Sequence, residues 1–375
     1  MKLFVGITSP GSTILLKGQL SYFKEYGYHV YLLCPYKESV MQFCDEEGAT
    51  HIDVDIARRT NPLKDIIILF KLIYIFRRHK PDIVNVGTPK MGLLGTMAAR
   101  LSRVGKIIYT CRGLRYEHES GFGKIFLKHT ERISGFCAHH IIGISTSVIE
   151  KAVQDNVFPR EKTVLIGNGS SNGIDISKFD RSLVNNELRE ALIQKLGLRD
   201  KFVFGFVGRL LDRKGIQELV DSFVIFNRKN ESSKLIIVGS ITKGQFSNYE
   251  LLEIIDTHDD ITWVGFQSDV PLYMSLFDVL LLPAWWEGFG NVLIQAAAMG
   301  VPVISTNGTG CRDAFRADYN GLQVPAKDTE ALLHAMVRYH ENRSLLIKHG
   351  ENGKEWVKNF DSAVIWKGLK KIYES

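Results

Sequence analysis

The stretch Phe202-Val-Phe-Gly-Phe-Val-Gly208-Arg209-Leu-Leu-Asp-Arg213-Lys214-Gly215-Ile216 reads as the joint of an α/β sheet. An almost unbroken apolar run makes a strand buried on both faces. Glycine ends it and a short basic loop follows. Ile216, Leu219, Val220, Phe223 and Phe226 then fall near one face of a helix. The same grammar continues downstream, where Leu235–Gly239, Ile261–Gly265, Val279–Pro283, Pro302–Ser305 and Gly321–Pro325 read as further strands. Upstream, Lys2–Ile7, Tyr28–Leu33, Thr50–Val54, Asp82–Val86, Lys106–Thr110 and His140–Ile144 alternate with helical segments such as Gly18–Tyr26 and Gly92–Arg103. Repeated strand–helix–strand units predict two doubly wound parallel sheets, one in each half of the chain.

The run Gly167-Asn-Gly-Ser-Ser-Asn-Gly173, followed by a polar helix ending near Leu196, marks the hinge between the halves. The expected division is 1–178 and 179–355, with a final helix, about 356–375, returning to the first domain. Two such sheets facing across a cleft would offer ligands the carboxyl ends of both sets of strands.

At 375 residues, 45% hydrophobic and 23% charged, the chain has an ordinary globular composition for two domains. Its five cysteines, Cys34, Cys44, Cys111, Cys137 and Cys311, are scattered and form no CxxC pair. That argues against a disulfide framework or a structural zinc, and for a reducing compartment. The segment Met1–Pro10 is too short in apolar residues to be a secretory leader, and no run reaches the length of a membrane span.

Charge is uneven. Residues 1–180 carry 24 Lys/Arg against 17 Asp/Glu, and residues 181–375 carry 23 against 24. Between Arg58 and Arg132 there are 16 basic and 5 acidic residues. This excess suits either an anionic partner surface or a solvated basic face. No nucleic-acid module or stacking-aromatic pattern accompanies it, so nucleic acid is not an expected partner.

Several nucleotide motifs fail. Gly239-Ser-Ile-Thr-Lys-Gly244-Gln245 lacks the Gly-Lys-Ser/Thr ending of a P-loop. The first turn, Gly6-Ile-Thr-Ser-Pro-Gly11-Ser12, is not GxGxxG, and Leu33-Cys34-Pro35 supplies no acidic residue for a dinucleotide ribose. Asp53-Val-Asp55 matches a DxD metal motif, but three residues with no further carboxylates nearby make a weak cation site. No metal and no cofactor are expected.

Two elements carry chemistry. Arg209 and Lys214 flank the loop before a helix start, where a planar fork, a point charge and the helix dipole suit a diphosphate; two solvated loop cations fit equally. The second is Pro283-Ala-Trp-Trp-Glu287-Gly288-Phe289-Gly290-Asn291-Val-Leu-Ile-Gln295. It reads as a strand end, a carboxylate, a Gly-x-Gly turn and a helix. Glu287 would sit at the strand end, either at a ligand or simply complementing the helix dipole, and the N–H groups of Gly288 to Asn291 would point outward toward phosphate oxygens. Gln295 lies one turn beyond Asn291, where its amide could reach a sugar hydroxyl.

These elements, with Val264-Gly265-Phe266 and Gly300-Val-Pro-Val-Ile304, stand in the order used by a known family. The chain resembles a family-4 glycosyltransferase of the GT-B fold over essentially its whole length. Gly18-Gln19, Thr88-Pro-Lys90 with Gly92-Leu-Leu-Gly95, Arg112-Gly-Leu-Arg115, Glu131-Arg132 and Gly169–Gly173 look like the bacterial subgroup that extends lipid-linked saccharides for capsule, O-antigen or glycoprotein glycans.

The resemblance implies a retaining, metal-independent transfer from a nucleotide-diphosphate sugar, UDP-linked by family habit, to an undecaprenyl-diphosphate-linked saccharide. It implies that Arg209 and Lys214 bind the donor diphosphate and that Glu287 contacts the sugar hydroxyls. Gly208 and the Gly288–Asn291 backbone would help hold the donor, and Phe266 would flank the base. Gly11 and Ser12 would approach the diphosphate from the first domain, with Lys90 on the acceptor or phosphate side and Arg112 and Arg115 either there or structural. The chain departs from the family pattern at Gln295, where a second Glu is usual, and at Arg112, where many relatives carry His. A nucleotide-sugar 2-epimerase, or a non-catalytic partner of a transferase, are the rival readings; product analysis without acceptor separates the first.

Lys64, Lys71, Arg77, Arg78 and Lys80 surround the apolar run Ile66–Phe76. That run suits a helix docked on an anionic inner leaflet near a lipid-diphosphate acceptor, or a domain helix buried all round. The first reading makes the enzyme cytoplasmic and peripheral on the inner membrane face.

Overall fold

The computed structural model describes residues 1–56, 61–241 and 244–375. Arg58 of the basic stretch, and Thr242 and Lys243 of the P-loop-like stretch, lie outside the described residues. The chain forms two compact units, Met1–Gly173 with Ser362–Ser375, and Ile174–Asp361.

The first unit alternates β1 (Lys2–Gly6), α1 (Gln19–Glu25), β2 (His29–Cys34), α2 (Glu38–Glu47), β3 (Thr50–Asp53), α3 (Pro62–His79) and β4 (Ile83–Gly87). It continues with α4 (Pro89–Leu101), β5 (Lys106–Cys111), α5 (Gly121–Cys137), β6 (His140–Gly143), α6 (Thr146–Gln154) and β7 (Thr163–Leu165). All strands pair in parallel, in the order β3-β2-β1-β4-β5-β6-β7. Side chains alternate across the sheet. Phe4, Val84, Val86, Ile107, Tyr109 and Ile141 pack under α3, α4 and α6. Leu3, Val5, Leu32, Ile83, Ile108 and Ile142 pack on the other face.

The second unit runs α7 (Asn186–Lys195), β8 (Phe202–Val207), α8 (Ile216–Asn227), β9 (Ser233–Val238), α9 (Glu250–Thr257), β10 (Ile261–Gly265) and α10 (Val270–Met274). Then follow β11 (Val279–Leu282), α11 (Asn291–Ala298), β12 (Val303–Thr306), β13 (Gly321–Val324), α12 (Thr329–Glu341) and α13 (Arg343–Val357). Its strands are also parallel, ordered β10-β9-β8-β11-β12-β13. In each sheet the order reverses once, between β1 and β4 and between β8 and β11. Crevices for ligands open at such reversals, outside the carboxyl strand ends.

The last helix, α14 (Ser362–Glu374), returns to the first unit. Ile365, Leu369 and Tyr373 complete the core face that α1 and α2 leave open. The Tyr373 hydroxyl accepts a 2.6 Å bond from Asn85 Nδ2, and Lys106 Nζ caps the helix on the carbonyls of Ile372, Tyr373 and Ser375. Trp366 Nε1 donates to Asn172 Oδ1 at 2.7 Å.

The division differs from the expected 178/179 and 355/356. Ile174 N–H bonds the Phe360 carbonyl at 2.9 Å, and Ile174 bridges Asp361. The Ile176–Phe179 turn packs on α11. Trp356 Nε1 donates to the Ala314 carbonyl, and Phe360 packs on Phe289. Residues 174–178 and 356–361 are therefore held by the second unit. All five cysteines are free and buried.

Candidate active site

In the second unit the reversal between β8 and β11 brings together Lys214 and Glu287, two of the residues the sequence singled out. Strand β8 ends at Val207, Gly208 N–H continues the ladder to the Val238 carbonyl, and Arg209 stands exposed beyond it. The chain then makes a tight 3-10 turn, Asp212–Lys214, stopped by Gly215 in the left-handed region at φ 69°. A Cβ at Gly215 would run into the Pro283 carbonyl, so only glycine brings this turn against the end of β11. The Arg213 carbonyl accepts the Trp285 N–H at 2.8 Å and fixes the two loops together.

Glu287 follows β11. Its N–H bonds the Thr309 carbonyl at 2.8 Å. Gly310 lies under it at φ 74°, where a Cβ would strike the Glu287 carbonyl. The carboxylate is 11% exposed and ion-paired twice, with Lys214 Nζ on Oε1 and Arg213 Nη1 at 3.4 Å on Oε2. Burial works to raise its pKa, but the charges of Lys214 and then Arg213 outweigh this and hold the carboxyl below its usual range. Nearby Cys311 is a buried thiol pushed up to about 12 by burial and by the Glu287 charge.

Arg213 was not singled out from sequence, although it stands inside the decisive stretch. Its guanidinium lies 4.4 Å over the Trp286 ring and donates to the Trp286 carbonyl at 3.2 Å. Trp285 gives its indole N–H to buried Glu218 Oε1 at 2.8 Å and carries Lys327 at 4.1 Å over its ring. Two adjacent tryptophans after a strand were the available signal.

The turn into α11 differs from expectation at two of its four N–H groups. Gly290 N–H donates to the Gly310 carbonyl at 3.2 Å, and Asn291 N–H to the Phe289 carbonyl at 2.9 Å, so neither points freely outward. The Phe289 ring is buried against Phe360. Gln295 is half-buried on α11, and Phe266, 75% exposed, follows the edge strand β10.

The first unit gathers its own set at the reversal between β1 and β4. Gly11 and Ser12 lie in the 3-10 segment Pro10–Leu16, with Ser12 N–H on the Ser9 carbonyl. Thr8, which the sequence reading did not single out, and Thr88 of the Thr88-Pro-Lys90 motif share a 2.5 Å hydroxyl bond, and Thr8 Oγ1 accepts the Met91 N–H. Thr88 holds a positive φ of 75°, strained for a β-branched residue and sited at the strand end.

Lys90 is ion-paired with Asp65 at 2.7 Å rather than offered to solvent as a phosphate ligand. Arg112 turns inward under Gly87, where a Cβ would collide with its guanidinium. Its Nε donates to Ser171 Oγ at 2.7 Å, and its Nη1 is buried without a hydrogen-bond partner. Burial lowers its pKa to about 10, with Tyr109 and Tyr373 opposing, so it stays charged at neutral pH. Arg112 borders a cavity of about 10 Å³ with Gln19, Asn85, Thr110 and Ser171, room for one water. Arg115 is exposed. Among the described residues no group of three or more His, Cys, Asp or Glu is placed to hold a metal ion.

Two family models match this chain: glycosyl transferases group 1 over residues 189–356, and glycosyl transferase 4-like over residues 5–143. The chain is 36% identical over 376 residues to the capsular polysaccharide biosynthesis glycosyltransferase CapM of Staphylococcus aureus, covering 100% of this chain and 97% of that protein. It is 25% identical to an Escherichia coli UDP-Gal:alpha-D-GlcNAc-diphosphoundecaprenol alpha-1,3-galactosyltransferase, covering 92% and 89%. The structure of Anabaena HepE in complex with UDP and glucose superposes with a TM-score of 0.83 over all of both chains, at 19% identity, and has the same GT-B fold.

Proposed function

The chain belongs to the glycosyl transferases of group 1 and is a glycosyltransferase, and from that premise we propose which sugar transfer it performs. The donor is a nucleotide-diphosphate sugar, UDP-linked, taken by the second unit. The acceptor is an undecaprenyl-diphosphate-linked saccharide of surface polysaccharide assembly. The observation that carries this reading is the Lys214–Glu287–Arg213 cluster at the reversal between β8 and β11. Further support comes from the named activities of the S. aureus and E. coli relatives.

In this reading Lys214 and Arg209 take the diphosphate. Negative charge grows there as the glycosidic bond breaks, and fixed cations in a partly dry site stabilise it. Glu287, held ionised, accepts hydrogen bonds from the sugar hydroxyls and orients the anomeric carbon. Gln295 reaches the donor ribose through its amide rather than a charge. The cations supply the countercharge a divalent ion supplies elsewhere, so no metal is required. The leaving phosphate takes the acceptor proton, and transfer retains configuration. The E. coli relative's name, pairing UDP-Gal with an alpha-1,3 product, supports retention.

We further propose that the first unit docks on the anionic cytoplasmic leaflet. Helix α3 is apolar on two sides: Ile68, Leu72, Ile75 and Phe76 are buried, while Leu63, Ile66, Ile67, Phe70 and Tyr74 are exposed. The helix is thus not buried all round, and its exposed apolar side supports the docking reading. Helix α5 is inverted, with Glu131, Ser134 and Gly135 inside and Phe122, Ile125, Phe126, Ile133 and Phe136 outside. Helix α4 packs between α3 and α5, and exposed Lys64, Lys71, Arg77, Arg78 and Arg132 accompany the apolar residues. Among the described residues no helix is long and apolar enough to cross a membrane.

The deciding experiment measures UDP and GDP release from a panel of nucleotide sugars in EDTA, with and without membrane extract carrying isoprenoid-diphosphate saccharides. Acceptor-dependent release of UDP is expected. Release only on adding a divalent metal would overturn the metal-free reading, and acceptor-independent conversion of the donor would favour an epimerase.

A further inference from the structure

Arg213 and Lys214 divide one carboxylate between them, and they are held very differently. Lys214 reaches Glu287 Oε1 on a flexible four-carbon stem. Arg213 reaches Oε2 as part of a fixed assembly: stacked on Trp286, bonded to the Trp286 carbonyl, and tied through its own carbonyl to the Trp285 N–H. Trp285 is in turn anchored on Glu218. Moving the Lys214 side chain away breaks its ion pair with Glu287; moving that of Arg213 also breaks its stack on Trp286 and its bond to the Trp286 carbonyl.

We propose that Arg213 is the standing counter-ion of Glu287, which frees Lys214 to exchange from the carboxylate to the phosphates of a nucleoside diphosphate. This rests on the reading above that Lys214 takes the donor diphosphate. Glu287 is only 11% exposed, so losing its sole cation would leave a poorly solvated charge. A carboxylate with one partner would therefore hold Lys214 against the incoming phosphate. A second cation on the other oxygen lowers that cost. The charged or titratable groups shown acting on Glu287 are Lys214 and Arg213 from the turn after β8 and Cys311 from the loop after β12, and the thiol stays neutral. Arg213 is thus a positioning residue, acting on the ligand only through Glu287 and Lys214.

The prediction separates from a direct phosphate contact by a double-mutant cycle. Calorimetric titration of the full chain with UDP and with GDP at neutral pH would compare wild type, R213M, E287Q and R213M/E287Q. R213M is expected to weaken UDP binding about fivefold, the size of one coupled charge contact. E287Q, which releases Lys214, is expected to bind UDP at least as tightly as wild type. In the E287Q background R213M is expected to have no further effect. W286L, which removes the stack but keeps the charge, should show the same cycle at smaller amplitude, and serves if R213M does not fold. An equal loss in both backgrounds would overturn the proposal and make Arg213 a phosphate ligand. No loss in either would reduce the stack to a structural contact. If wild type binds neither UDP nor GDP, the donor reading itself fails, and this inference with it.

Discussion

Lys214 and Glu287, from turns after different strands, meet as a direct ion pair in the second unit. Each ion is largely removed from water, with 13% of the lysine side chain and 11% of the glutamate exposed. Such a pair adds little net stability but is expensive to break from one side. On the proposed reading it poises a carboxylate and an ammonium where the donor would bind.

The first prediction concerns that pair in turnover. Glu287→Ala, and the paired change Arg209→Ala with Lys214→Ala, are each expected to lower kcat by about 100- to 1,000-fold, the usual cost of losing a group that stabilises developing charge. Melting curves should remain cooperative. Turnover within threefold of wild type in either variant would refute the site.

The second prediction is a pH effect on stability from the first unit. Glu131 is buried, accepts a 2.7 Å bond from Tyr109, and is pushed up to about 7 by burial, against the lowering effects of Tyr109 and Arg115. Its folded pKa lies above the unfolded value of 4.5. The neutral carboxyl therefore contributes stability that is fully present below about pH 4.5 and lost as pH rises through about 7, on the order of 3 kcal/mol in all. Glu287 has the opposite sign: its depressed pKa gives stability present above the unfolded value and lost as pH falls through the folded one. Glu131→Gln should abolish the loss between pH 5 and 8 in calorimetric melts of the first unit. A variant whose melting temperature falls with pH as steeply as wild type would rule this out.

How much of this could be read in advance depends on range. The twelve strands expected from local apolar runs are present, because a parallel-sheet strand must be apolar on both faces wherever it is central. The three-residue β7, half-exposed beside β6, leads into the short apolar run Val164-Leu165-Ile166 and was missed. Glu287 and Lys214 were legible because glycines and strand ends flank them. Arg213 was not, since its partners depend on how closely Gly215 lets the turn approach Pro283. The inward turn of Arg112 likewise depends on Gly87, and the domain boundary on the long-range Ile174–Phe360 bond. Sequence periodicity carries neither.

The third prediction follows from α14. Tyr373→Phe leaves Asn85 Nδ2 without its acceptor in a buried site and should cost about 1–3 kcal/mol. Ending the chain at Asp361 also strips Ile365, Leu369 and Tyr373 from the core, at about 1.5–3 kcal/mol for each side chain. Limited proteolysis is expected to degrade residues 1–173 of the truncated chain while 174–361 resists. Equal resistance of both segments would refute the dependence.

The fourth prediction tests the membrane face. Phe122 and Phe136 are 81% and 74% exposed on a helix that buries Glu131, Ser134, Gly135 and Cys137 and packs Leu127 on the core, so its largest apolar side chains face water. Vesicles of phosphatidylglycerol should float the wild-type chain, and vesicles of phosphatidylcholine should not. Phe122→Ser with Phe136→Ser removes apolar insertion and keeps the charge, so binding should weaken and become more salt-sensitive. Reversing Arg77 and Arg78 to Glu keeps the apolar face and should abolish the lipid preference. Neither variant touches the Lys214–Glu287 cluster, so UDP affinity should stay at the wild-type value in both. Loss of UDP binding together with flotation would mean that the substitutions disturb folding. Flotation unchanged in both variants, with UDP binding intact, would mean that this face meets something other than a membrane.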